Sequence, residues 1–151
     1  MAVGVIGVHR LEELLRRIEG LELDKSDVRR AIDLIGSKLR DLLVVANQAA
    51  SANGRDVIIK YDLPLTLGLQ RSLQEFQEME EEIELHPILE YLATYPPLER
   101  ALSDEVEQML PDLAGALLVV LAHIIRQVDP YAVNPSTLHF ERAMRSFKLT
   151  L

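Results

Sequence analysis

At 151 residues and a net charge of −8, the chain has room for one ordinary domain or for two very small motifs that share a core. It contains no cysteine, which excludes disulfides, thiol nucleophiles and Cys-ligated metal sites and suits a cytoplasmic setting. Apolar residues make up 48% and aromatics only 5%, with no Trp, so the expected core is aliphatic and the expected fold class all-α.

Met1 to Val8 is apolar but lacks the basic lead and the length of a signal peptide. Residues 9–19 set Leu11, Leu14, Leu15 and Ile18 against Arg10, Glu12, Glu13, Arg16 and Arg17, the pattern of a short amphipathic helix that Gly20 ends. Asp24 or Ser26 then offers an N-cap, with Asp27 well placed against the helix dipole. Val28, Ile32, Ile35, Leu39, Leu42 and Ala46 recur at steps of three and four. That spacing predicts a long helix to about Ala52, spanning roughly 40 Å at 1.5 Å per residue.

Asn53-Gly54 supplies the residue types of a left-handed C-cap, and the chain crosses in extended form to Asp62. Asp62 is expected to cap a further helix running to about Glu82, with Pro64 in its first turn. Gly68 costs that helix about 1 kcal/mol against Ala and offers a break. Residues 75–84 hold six glutamates among ten, read as a solvated helix face or connector.

The second half repeats the order. Residues 86–95 form a short helical pattern that Pro96-Pro97 ends, and Ser103-Asp104 can cap a second long helix to about Val128, which Pro111 should kink. Its apolar run from Leu113 to Ile125 is too short to span a bilayer and reads as a buried helix. A second joint follows at residues 129–133. Asn134-Pro135 then offers a cap and a first-turn proline for a last helix carrying Leu138, Ala143 and Phe147. A shift of 75 positions lays Leu42-Leu43-Val44-Val45 on Leu117-Leu118-Val119-Val120, Ile58 on Val133 and Leu63 on Leu138. The pattern is short helix, long helix, joint, helix, twice.

The halves differ in charge. Residues 1–72 carry eleven Lys+Arg against ten Asp+Glu, a net +1, and residues 73–151 carry five against fourteen, a net −9. A basic face for nucleic acid could come only from the first half.

With Gly54, Arg55, Ile58, Asp62 and Leu63 in place, the first joint resembles the second loop of the histone fold, where archaeal histones read Gly-Arg-Lys-Thr-Ile, three residues, then Asp-Ile. The whole chain resembles the bacterial and archaeal histone-like proteins that carry two histone folds in one chain. The resemblance implies two tandem motifs of short, long and medium helices, about 9–84 and 85–151, clasped as an intramolecular pseudodimer forming one globular domain. It also implies a structural clamp in which the Arg55 guanidinium forks onto the Asp62 carboxylate. The second copy has Pro130 and Thr137 at the matching places, so the clamp is expected only once.

Histones hold phosphate with a Lys-Thr pair directly after the loop arginine, and here those places are Asp56 and Val57. The remaining candidate DNA contacts are Arg16, Arg17, Arg29, Arg30, Arg55 and Lys60, whose alternative reading is a solvated, salt-bridged surface. The expected role is therefore protein association, through self-assembly or a separate protein partner. Weak, sequence-independent DNA binding is the alternative.

No enzyme activity is expected, because the chain has no Gly-rich phosphate loop, no HExxH and no Gly-x-Ser-x-Gly. No cofactor, metal, membrane or small-molecule substrate is expected either. His9, His86, His123 and His139 are scattered, and His123, inside an apolar run, is expected to be satisfied by one hydrogen bond.

Overall fold

The structure, a computed structural model, describes residues 5–83, 98–131 and 133–150. These residues form an all-α protein of five helices: α1 (Val5–Glu19), α2 (Lys25–Ala52), α3 (Leu67–Ile83), α4 (Asp104–Val128) and α5 (Thr137–Leu149). Two short strands, β1 (Val57–Ile58) and β2 (Ala101–Leu102), pair in parallel, Val57 with Ala101 and Ile58 with Leu102. The expected short helix at 86–95 and its Pro96-Pro97 stop lie outside the described residues.

Each end of α2 has a visible chemical cause. Asp24 is the N-cap, its carboxylate accepting the Asp27 N–H at 2.8 Å. At the other end the Arg55 N–H donates to Ala50 O and the Gly54 N–H to Ser51 O, a Schellman closure with Gly54 at φ +70°. Along α2, Val28, Leu34, Ile35, Leu39, Leu42, Leu43 and Ala46 are buried, while Val44 and Val45 are exposed.

The second long helix is capped by Ser103, whose hydroxyl accepts from the Val106 N–H at 3.2 Å, and runs on through Pro111. It is long and apolar enough by composition to cross a membrane, but 67% of its most apolar stretch is buried in this fold, as befits a core helix. Gly115 at its middle lets α3 approach: a Cβ there would sit 2.5 Å from the ring of Phe76, itself fully buried.

Three helix starts differ from expectation, the first being α1, which begins at Val5 and not at residue 9. The third helix begins at Leu67, not at Asp62, because Pro64 disfavours helical backbone at Leu63, which is extended at φ −67°, ψ 128°. Thr66 caps it by accepting the Leu69 N–H at 3.2 Å, so Gly68 lies in the first turn instead of breaking the helix. Asp62 instead closes a single 3₁₀ turn, Lys60–Asp62. The last helix begins at Thr137 with Ser136 as its cap, two residues beyond Asn134. Its buried face is Phe140, Ala143 and Phe147; Leu138 is exposed.

The two halves meet reciprocally. β1, after α2, pairs with β2, before α4, and the Ser103 N–H donates to Ile58 O at 2.9 Å. At the opposite end the Glu22 N–H, before α2, donates to Val133 O, after α4, at 2.8 Å.

Candidate functional site

The two joints, at opposite ends of α2, are where functional side chains gather. At the first, Arg55 Nη1 lies 2.5 Å from Asp62 Oδ2 and Nη2 lies 2.7 Å from Oδ1, the bidentate fork. Asp62 Oδ2 also accepts the Ile59 N–H at 2.9 Å, and its side chain is only 3% exposed. The Arg55 fork, helped by that N–H, holds the Asp62 carboxyl below the ordinary carboxylate range against the opposing pull of burial. Arg100 ties the fork to the second half by donating from Nε to Arg55 O at 3.0 Å. Lys60 meets Glu105 at 3.2 Å, which raises its pKa, and lies 5.1 Å from the Tyr61 ring centroid. Asp56, Val57 and Tyr61 face solvent.

The second joint has its own fastening. Arg126 donates from Nη1 to Asp129 O and Pro130 O, at 3.3 and 3.1 Å, and from Nη2 to Glu19 O at 2.5 Å. Asp129 Oδ2 meets His139 Nδ1 at 2.7 Å. Arg30 reaches across from α2 to Glu141, 3.7 Å away, over the ring of Phe140. Tyr131, Val133 and Leu138 are exposed.

The clamp residues Arg55 and Asp62 therefore meet as expected. The candidate DNA contacts do not converge. Arg55 and Lys60 lie at the C-terminal end of α2, while Arg29 and Arg30 lie in its first turns, roughly 30 Å away along the axis. Arg16 lies 3.7 Å from Glu22, Arg30 lies near Asp27 and Glu141, and Lys60 pairs with Glu105; Arg17 and Arg29 are exposed.

Three polar features were not anticipated. His123 touches two carboxylates instead of making one bond: Nδ1 is 2.5 Å from Glu19 of α1, and Nε2 is 3.0 Å from Glu75 of α3. Lys38 is buried, donating to Lys148 O at 3.3 Å in the last turn of α5 and to Thr150 O at 2.8 Å just past it, beside the Phe147 ring. The third is the Arg126 hub. Among the described residues no three His, Asp or Glu side chains are placed to hold a metal.

The molecule is thus an all-α protein built on two long helices whose flanking loops meet at both ends. It belongs to the family described as Domain of unknown function (DUF1931), which matches residues 11–148. A crystal structure of ttk003001566 from Thermus thermophilus is similar at 46% identity and TM-score 0.86, covering 95% of this chain and 97% of that one. The crystal structure of protein AQ328 from Aquifex aeolicus shares the fold at 24% identity and TM-score 0.84, covering 96% and 95%. Two uncharacterized proteins of Aquifex aeolicus (strain VF5) are 26% and 28% identical, over 80% and 79% of this chain and 71% and 77% of theirs.

Proposed function

We propose that the chain is a single-chain histone-fold doublet whose role is protein association and not catalysis. The reciprocal meeting of the loops supports the doublet reading: each long helix is followed by a segment that bonds to the segment preceding the other. The observation that carries the association reading is the surface of the joints. Where the histone resemblance calls for cations and hydroxyls, one joint exposes Asp56, Val57 and Tyr61, and the other exposes Tyr131, Val133 and Leu138. Tyrosine is a favoured anchor of protein interfaces, and a carboxylate repels phosphate.

Sedimentation velocity over a range of concentrations tests this. The full chain is expected to form a defined assembly, and the double substitution Tyr61→Asp with Tyr131→Asp to leave a folded monomer. A chain that stays monomeric while binding duplex DNA at physiological salt would overturn the reading.

A second reading, weak sequence-independent DNA binding, is favoured by one observation: Arg29 in the first turns of α2 is exposed, with Arg17 exposed on α1 beside it in the chain order. The acidic balance of residues 73–151 opposes it.

A further inference from the structure

His123 stands on α4 between an anion of α1 and an anion of α3. Its Nδ1 lies 2.5 Å from Glu19 Oε1, and its Nε2 lies 3.0 and 3.2 Å from the two oxygens of Glu75. Ionised carboxylates only accept hydrogen bonds, and a neutral imidazole carries one N–H. A neutral ring therefore satisfies one carboxylate and turns a lone pair toward the other. Only the imidazolium donates to both.

We propose that His123 is a proton-operated latch that fastens α1 and α3 to α4 and loosens α3 when the ring loses its proton. The neighbouring charges decide which side loosens. On α4 itself, Arg126 has Nε 3.6 Å from Glu19 Oε2 and donates to Glu19 O, so Glu19 keeps a cation beside it when the ring is neutral. Among the described residues Glu75 meets only the imidazole, so its contact is the one that fails. The remaining charged groups of the last turn of α1 are Arg16, near Glu22, and Arg17; on α3 the residues about a turn from Glu75 are Arg71 and Glu78. From α5, His139 is engaged with Asp129, and from α2 the buried Lys38 reaches the end of α5.

The direction of titration agrees with the geometry. Burial pulls the imidazole down, and Glu75 and then Glu19 more than reverse it, leaving His123 above its ordinary value. A group whose folded pKa exceeds its unfolded one stabilises fully below the unfolded value, about 6.5 for His, and loses that contribution as pH rises through the folded value. The latch is closed in mild acid and opens toward alkaline pH.

The test uses the full chain. Imidazole NMR resonances are titrated, with His123 assigned by its loss in His123→Gln, and amide exchange along α3 is followed over the same pH range after correction for intrinsic rates. His123 is expected to titrate above about 6.5. Opening of α3 should rise severalfold across that transition. In Glu75→Gln the amide donates to a neutral Nε2, so the His123 titration should move down and the step in α3 exchange should vanish. Circular dichroism at pH 5 confirms that this variant is folded, and its step is read against its own acid baseline. Titration of His123 at or below the ordinary value, or an unchanged exchange step in Glu75→Gln, would overturn the proposal.

Discussion

The two joints solve one mechanical problem with different chemistry. The first crossing, from Gly54 to Leu63, is pinned by a two-pronged fork between side chains seven residues apart, with Asp62 nearly out of solvent. The second, from Asp129 to Ser136, is pinned by Arg126 reaching three backbone carbonyls and by a single Asp129–His139 contact. A fork between permanent charges resists pH change down to the low pKa of its acid. A contact through imidazole is an ion pair only while the ring is protonated. The two crossings therefore differ in what disturbs them.

The largest expected effect comes from removing one joint's partner altogether. A fragment of residues 1–83 loses β2 from β1 and loses α4, against which the buried Phe76 of α3 packs at Gly115. Isolated helices gain most of their stability from packing, so the fragment should be unfolded or form an obligate dimer. Thermal melting with sedimentation checks this. A cooperatively melting monomer would break the account of two mutually dependent halves.

Smaller effects sharpen the contrast between the joints. Asp62→Ala should cost about 1 to 3 kcal/mol, the usual range for losing a hydrogen-bonded charged partner. Double-mutant cycles for Arg55 with Asp62 and for Asp129 with His139 should show the stronger coupling in the first pair at neutral pH. The second pair, with His139 more than a third exposed, is expected at about 0.2–1 kcal/mol or less. On acidification the Asp62 contribution should persist below the ordinary carboxylate value, because its folded pKa is depressed, and fade only as pH falls through that lower value. Equal coupling at the two joints would remove the contrast.

Much of this arrangement was legible in short-range signals. The step of three and four from Val28 to Ala46, the Asn53-Gly54 pair and the Ser103 cap each act within a few residues, and each gave the right element. The Arg55 and Asp62 fork was readable because both partners sit in one loop. The start of α3 was misplaced because Asp62 and Thr66 both have capping chemistry, and only the constraint of Pro64 on Leu63 decides between them. Asn134 and Ser136 posed the same ambiguity. The His123 bridge joins residues 104 and 48 positions apart, and Lys38 meets its carbonyl acceptors 110 and 112 positions away. No local pattern encodes such meetings. The shift of 75 also hid an asymmetry: Val44 and Val45 are exposed where Val119 is buried, because α4 is enclosed on more sides than α2.

Duplex DNA titration most directly tests the central claim, that these joints serve protein contacts and not phosphate. Log affinity falls with log salt by about 0.9 per phosphate contact, so a chain with about two or three effective contacts binds weakly. Asp56 beside the first joint and the net charge of −9 over residues 73–151 act against even those. Fluorescence anisotropy of labelled duplex at several salt concentrations should show weak, sequence-independent binding that disappears near about 150 mM salt. Asp56→Lys with Val57→Thr should strengthen it and steepen the salt slope by about one unit. Submicromolar binding by the unmodified protein at physiological salt, with a steep slope, would contradict the account.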